Sequence, residues 1–427
     1  MSILRSFTIG VGGLQAIGGG MSVTGDNIAN SQTNGFKASR PEFQDVLATS
    51  LKGIDGGDQI GSGVRLAHIT PNFTQGNVSR TENITDLAIN GNGFFQVESP
   101  FGHGYTRDGQ FHFDKEGYLI NGDGYKARGF RADADGNIIN KPSTIKLGNT
   151  TIPAKATSKV EVMMNLDSRD DIQEFNIEDP EKTSSFNNSV SVFDNVGTQR
   201  LVTVYFNKTD NNQWEYHAVV DAEDAAGGGD EGTVVEMASG KVIFNDKGEL
   251  LQEEVGSNAF NFNKGAAPEQ KIELSFGKSI TEGGTGLQGA TQYGSKSAVS
   301  RHTQNGASAA TITSMSFNDE GLLSAFYSNG ETRNIGLMGV AKFENNEGLF
   351  KMGKNLFKAS LKSGQGALGK PGQTGRGQIL SKSVELSNVD IANEFVNLMT
   401  AQRNFQANTR TITTADQMLQ EVLNIKR

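Results

Sequence analysis

Residues 386–427 carry the most regular hydrophobic pattern in the chain. Ile391, Phe395, Leu398, Phe405, Ile412, Leu419 and Leu423 recur in steps of three and four along one helical stripe, with Gln402, Thr409 and Asp416 as polar interruptions. Ser387 with Asp390 three places on reads as a capping box, and neither Pro nor Gly follows Gly377. The pattern predicts a helix of about 38 residues, roughly 57 Å long at 1.5 Å per residue. That is long for a globular protein, and it lacks the uniform apolarity of a membrane span. Its best partner is the other end of the chain. There Phe7, Val11, Leu14, Met21 and Ile28 share a helical stripe, with Gly18 and Gly25 at the intervening positions. Each interior Gly costs about 1 kcal/mol against Ala, so this helix needs a partner, either the C-terminal stripe or copies of itself.

Between these ends the texture changes. Asn27 to Lys37 is rich in Asn, Ser, Thr and Gly and marks a helix end turning into extended chain. Residues 53–63 read as a flexible Gly/Asp-rich connector. From Val64 onward short apolar stretches alternate with turn signals, as at Asp114-Lys-Glu-Gly117, Asp246-Lys-Gly248 and Asp319-Glu-Gly321. These predict hairpin turns in which Asp bonds nearby backbone and Gly takes positive φ. Pro142 and Pro153 bracket a boundary, a β-patterned block occupies about 152–299, a second runs over 310–348, and 364–377 is a glycine-rich linker. The expected fold class is multidomain and mainly β, with terminal α-helices pairing as a coiled coil around nested β domains. The expected partition is 1–30 with 386–427 as the helical domain, 31–75 with 364–385 as connector, 76–151 with 300–363 as inner β domain, and 152–299 as an inserted outer β domain.

Composition supports this picture and narrows the chemistry. The 53 glycines, single Trp and 35% apolar content describe a turn-rich β protein, and 427 residues allow about three domains. A net charge of −9 with no Lys/Arg cluster gives no footprint for nucleic acid or an anionic membrane surface. The absence of cysteine excludes disulfides, thiol nucleophiles and Cys-ligated zinc. No apolar run reaches transmembrane length, and glycines at 10, 12, 13 and 18–20 break the N-terminal segment, so no cleaved signal peptide is expected.

No catalytic constellation emerges. Gly364 to Lys370 resembles the start of a phosphate loop, but Pro371 stands where the metal-binding Ser/Thr belongs. His68, His103, His112, His217 and His302 show no metal spacing, and no G-x-S-x-G elbow occurs. At Asp133 to Asn137 the glycine comes too early for an EF-hand loop. Neither enzyme chemistry nor a cofactor is expected.

Three stretches carry a resemblance. Asn27-Ile28-Ala29-Asn30 with Thr33 and Gly35-Phe36-Lys37 is the first. Asp86-Leu-Ala-Ile89-Asn-Gly91-Asn-Gly93-Phe94-Phe95 followed by Tyr105-Thr-Arg107-Asp108-Gly109 is the second. Glu385-Leu-Ser387-Asn388-Val389-Asp390 followed by Ala401-Gln402-Arg403-Asn404-Phe405-Gln406-Ala407-Asn408 is the third. Together they resemble the rod and hook axial proteins of the bacterial flagellum, and the insert at 152–299 is similar to that of the longer, hook-type members. The run Gly18-Gly19-Gly20 departs from the family's pattern and puts the length and straightness of the N-terminal helix in question.

The resemblance implies a subunit that polymerises with itself into a bent helical tube, a universal joint transmitting motor torque to the filament. It implies contacts with rod, hook-cap and hook–filament junction proteins, export without a cleaved leader through the flagellar type III apparatus, and an extracellular place. It assigns assembly roles to Asn27, Ile28, Ala29, Asn30, Thr33, Gly35, Phe36 and Lys37. In the C-terminal segment it assigns them to Ser387, Asn388, Val389, Asp390, Ile391, Phe395, Leu398, Gln402, Arg403, Phe405, Gln406, Asn408, Ile412 and Leu419. The alternatives are a distal rod or other axial component and, from another class, a secreted β-rich adhesin or polysaccharide-active protein.

Overall fold

The computed structural model describes residues 2–46, 49–50, 59–133, 136–148, 150–230 and 232–425. Much of the connector read at 53–63, and Ala134 and Asp135 of the rejected calcium loop, lie outside the described residues. The chain is mainly β with a long helix at each end, α1 (Ser2–Ala29) and α2 (Ile391–Ile425). It divides into two compact units, one of Met1–Gly148, Ser314–Phe326 and Thr332–Arg427, the other of Asn149–Thr313 and Tyr327–Glu331.

In the first unit, Lys126–Ala132 is the pivot of the main sheet, pairing antiparallel with Phe94–Ser99 at its start and with Thr332–Met338 further along. Beyond Phe94–Ser99 come Gly102–Thr106, Leu356–Lys358 and Phe350–Gly353 in that order. Leu87, Ile89, Phe95, Val97, Leu119, Leu323 and Val340 form one core in this unit, and Phe94, Tyr105, Phe343 and Phe357 form an aromatic second cluster. The stretch read as a connector at 364–385 is not bare linker. Ala367–Gly369, Gln378–Ser381 and Ser383–Glu385 are strands, because Ile379 and Val384 supply apolar side chains that bury completely or nearly so. Gln378–Ser381 pairs with Leu87–Asn90, and Ser383–Glu385 with Val78–Arg80. The phosphate-loop look-alike dissolves here too, since Gly369 ends a strand and a turn leading to the next strand, not a helix, comes directly after it.

The second unit packs an antiparallel five-stranded sheet, Phe186–Phe193 through Leu250–Asn258, against a smaller sheet centred on Lys159–Asp167. Alternation does the work: Val202, Val204 and Phe206, then Trp214, Tyr216, Ala218 and Val220, point inward at period two. The indole Nε1 of Trp214 is buried but donates to Gln292 Oε1 at 3.2 Å, so no polar group is stranded there.

The hairpin turns form, with a shift in which side chain closes them. Asp114 Oδ1 accepts from the Tyr118 amide at 2.7 Å, with Gly117 at φ +82°. At the other two turns the acceptor is the residue before the aspartate: Asn245 Oδ1 takes the Lys247 and Glu249 amides, and Asn318 Oδ1 those of Glu320 and Leu322. Asn offers the same short acceptor as Asp, and the glycine fixes which residue sits three places ahead of it.

Candidate assembly site

The two terminal helices pack together, as the paired patterns predict, but only part of the apolar stripes turns inward: Leu398, Ile412 and Leu419 are covered, whereas Phe7, Ile391, Phe395 and Phe405 are exposed. α1 is continuous through Gly18-Gly19-Gly20 and runs for 28 residues. Its buried positions are Gly10, Gly13, Ala16, Gly20, Val23, Thr24 and Asn27, a seam of small and polar residues. Phe7 is exposed, and Val11, Leu14, Met21 and Ile28 are only partly covered. The glycines explain the choice. A Cβ on Gly10 would lie 2.8 Å from Ile412 Cγ1, and one on Gly13 would lie 3.1 Å from Asn408 Oδ1. Glycine therefore lets α2 approach α1's backbone, a closeness no larger residue permits. Gly19 and Gly20 do the same for the hairpin Ser39–Asp45/Val64–Pro71, where added Cβ atoms would meet Leu66 and Phe43 at 2.9 Å.

On α2 the covered residues are Glu394, Leu398, Ala401, Asn408, Ile412, Ala415 and Leu419. These follow a heptad-like rhythm, but the alternate positions are one residue before the Phe395, Gln402, Thr409 and Asp416 series of the sequence pattern. Phe395, Gln402, Arg403, Phe405 and Gln406 face solvent. With them lie Ile391, Val396 and Met399, which are 41%, 55% and 51% exposed. Leu423's side chain lies outside the described residues. The helix also starts later than predicted. Asp390 is its cap, its Oδ1 accepting from the Ala392 and Asn393 amides, while Ser387 Oγ accepts from the Val389 amide and closes the preceding turn. At 35 residues α2 spans roughly 52 Å.

Beneath the helix pair sits a buried polar junction. Glu385, completely enclosed, accepts from Lys37 Nζ at 2.6 Å through Oε1 and from Arg107 Nη1 at 3.0 Å through Oε2. Oε1 also takes the Gly76 amide, and the Glu385 carbonyl takes the Gly35 amide. Lys37 Nζ also donates to the Thr74 carbonyl, and Arg107 donates to the Ile89 and Gly91 carbonyls through Nη1 and Nη2, while its Nε is buried without a partner among the described residues. Burial pushes the Lys37 ammonium below the usual lysine range, the Glu385 carboxylate opposes that shift, and Arg107 adds slightly to it. The Arg107 guanidinium is likewise lowered by burial and sustained by Glu385. One carboxylate thus ties the segment after α1, the strand end at Arg107 and the approach to α2.

Two asparagines extend the junction. Asn27, buried in the last turn of α1, holds both the amide and the carbonyl of Ser39 and reaches Glu394 of α2 at 3.1 Å. Asn388 accepts from the Ala38 amide and donates to Asn72 and Thr74. Asn30 and Thr33 build the turn after α1, where Thr33 Oγ1 donates to Asn30 Oδ1. Gly35 adopts φ +69°, and a Cβ there would collide with the backbone of Arg107 and Asp108. Phe36 is buried under the Lys351 ammonium, 4.3 Å from its ring centre. Ala29 is exposed, while Ile28 and Val389 are intermediate.

Apart from Ile28, Ala29 and Val389, the predicted residues fall into three groups. Asn27, Asn30, Thr33, Gly35, Phe36, Lys37, Ser387, Asn388 and Asp390 build the junction; Leu398, Asn408, Ile412 and Leu419 line the helix seam; Ile391, Phe395, Gln402, Arg403, Phe405 and Gln406 stay outside. Sequence reasoning left Glu385, Arg107 and Glu394 unassigned, although the first two stand inside the quoted motifs. The charges of Lys37, Arg107 and Glu385, one in each of the three quoted stretches, were the available signal. Among the described residues no group of His, Asp or Glu could hold a metal ion, and no helix is long and apolar enough to cross a membrane.

Comparison with known proteins gives these features a context. Residues 165–307 match the flagellar basal body protein FlaE D2 domain, 88–165 the flagellar hook protein FlgE/F/G D1 domain, and 380–425 the flagellar basal body rod FlgEFG protein C-terminal region. The chain is 34% identical to flagellar hook protein FlgE of Escherichia coli (strain K12), covering 99% of this chain and 100% of that protein. It is 33% identical to flagellar hook protein FlgE of Borreliella burgdorferi, again over 99% of this chain and 100% of that one. Among solved structures, the crystal structure of Helicobacter pylori flagellar hook protein FlgE2 superposes with a TM-score of 0.52 at 16% identity, covering 72% of this chain and 100% of that one, a likeness of fold.

Proposed function

This chain belongs to the flagellar hook protein family and is a structural subunit of the hook, and from that premise we propose how its terminal helices make the polymer. The carrying observation is that the buried face of α1 is mostly small and polar, and that α2, while covering Leu398, Ile412 and Leu419 in part, leaves Ile391, Phe395, Val396, Met399 and Phe405 exposed. Ile391, Phe395, Val396, Met399 and Phe405 on α2, with Phe7 on α1, are the surface on which helices of neighbouring copies dock. Burying each large side chain contributes roughly 2 kcal/mol, so a few per copy, repeated along a tube, suffice for a stable inner layer. The junction at Glu385 sets the direction in which this surface points, and Asn27, Lys37 and Asn388 act as positioning residues within the subunit.

On this reading the domains nest, with 1–30 and 386–427 innermost, 76–151 and 300–363 around them, and 152–299 outermost. Turn-rich outer surfaces exchange wet contacts at small cost while the inner helices resist torsion, which is what a universal joint carrying torque requires. The rod, the hook cap and the hook–filament junction proteins meet the same helical ends. The chain is delivered outside the cell by the flagellar type III apparatus. The protein works without catalysis or a cofactor. The test is the double substitution Phe395→Asp with Met399→Asp. The variant is expected to fold with unchanged helical circular dichroism and to yield no tubes by electron microscopy at concentrations where the unmodified chain forms them. Tubes from the variant would overturn the assignment of this face.

A further inference from the structure

Away from the helices, the most exposed apolar side chains of the first unit gather at one sheet edge. Residues 345–363 form a hairpin whose outer strand, Phe350–Gly353, ends its sheet and leaves a main-chain edge open. The hairpin is held firmly from within. Leu349 and Phe357 are buried in the aromatic cluster, Ser360 Oγ donates to the Gly348 carbonyl, and Asn345 Nδ2 donates to the Lys362 carbonyl. Yet Phe350 is 64% exposed, Leu361 wholly so, and Phe101, in the turn before Gly102–Thr106, 71%. Phe357 stands opposite Tyr105, which carries Leu361 toward the same end of the sheet as Phe101. Lys351 and Lys354 engage Asp26 and Asp123, whereas Lys358 and Lys362 are exposed and make no ion pair among the described residues.

The second unit carries a surface of the opposite character. Segment 170–181 exposes Asp171, Glu174, Glu178 and Glu181 together with Ile172 and Ile177, 59% and 40% exposed. This segment too is held, by the Gln173 amide on the Lys208 carbonyl at 3.1 Å and by Phe175 stacked on His217 at 4.0 Å. A basic, apolar, open-edged surface and an acidic, apolar one thus occur on the same chain. We propose that hairpin 345–363 of one copy docks on segment 170–181 of a second copy. Lys358 and Lys362 face the carboxylates, and Phe350 and Leu361 cover the isoleucines. The contact joins unlike surfaces, so it is heterologous and extends an assembly rather than closing it. Its charges fix orientation and register, and its apolar centre supplies the affinity. The proposal rests on the polymer reading above and adds a second contact to it, made by β structure.

The chain has no cysteine, which makes the test direct. Leu361→Cys and Ile172→Cys are prepared as separate chains with tags of different size, mixed, assembled and mildly oxidised. The expected result is a mixed disulfide dimer in the polymer and none in dilute monomer. Lys358→Glu with Lys362→Glu on the first chain should lower its yield several-fold, and Asp171→Lys with Glu174→Lys on the second should restore it. Lys362→Cys with Glu174→Cys reads the same contact should the first pair assemble poorly. Tubes without the mixed dimer in either pair, or a yield indifferent to charge reversal, would overturn this contact and leave the helix reading standing. No tubes even from the unmodified chain would overturn both.

Discussion

The five-stranded sheet of the second unit closes over Phe206, Trp214, Tyr216, Phe244 and Phe276, all nearly or fully inaccessible to water. The helix pair of the first unit closes over Gly10, Gly13, Ala16 and Ala415, and leaves Phe395, Val396 and Met399 in solvent. Both regions bring apolar residues at the correct period, yet the sheet encloses its large side chains while the helices cover only Leu398, Ile412 and Leu419, and those in part. A core of large side chains supplies its own stability, whereas a seam of glycine and alanine buries little area and depends on fixed ends. Those ends are fixed by Glu385 and its two cations. On the proposed reading, the helical region trades burial within the subunit for a surface that neighbouring copies complete.

The sharpest way to break this contrast is Glu385→Ala. It strands the Lys37 and Arg107 charges in a buried site, a loss of about 3–5 kcal/mol when one partner of a buried ion pair is removed. The single tryptophan, Trp214, lies in the second unit, so indole fluorescence follows that unit while helical circular dichroism weights the terminal helices. In urea the variant should lose helical signal early and keep the fluorescence transition in place. A joint shift of both signals would show that the two regions are not energetically separable.

A middle-sized effect lies in the second unit. Burial raises the Glu253 carboxyl to about 7 from 4.5, opposed by the Phe276 amide and reinforced by Glu282 and Glu273. Between those pH values the folded state holds a proton that the unfolded chain has released. Stability therefore falls as pH rises from about 4.5 to about 7 and levels above that, by no more than about 3 kcal/mol. Glu253→Gln should flatten this slope in fluorescence-detected urea melts and leave the helical transition unmoved. An unchanged slope would remove Glu253 as its source.

The smallest effect divides the glycines of α1. Gly18 has open space where a Cβ would go, so Gly18→Ala should stabilise the helix by up to about 1 kcal/mol. Gly10→Ala meets Ile412 and should destabilise by about 1–2 kcal/mol. Opposite signs in helix-detected melts confirm the seam, and equal signs refute it.

Periodicity alone located both terminal helices and the β texture between them, because a period of 3.6 or 2 is written into local sequence whatever packs against it. Motif likeness also gathered the junction residues Asn27, Lys37 and Asn388. Several features lay beyond it. Which face of each helix turns inward depends on how closely the backbones approach, and that is set by glycines whose value appears only once Ile412 and Asn408 stand opposite them. Glu385 and Arg107 were in view as letters, but their pairing joins positions far apart in the chain, where no local pattern reaches. Ser387 could be read as a cap until the fold assigned that bond to Asp390. Local order was determined by the chain's own repeat; inward and outward were decided by proximity, since burial and charge pairing belong to residues that meet only in three dimensions.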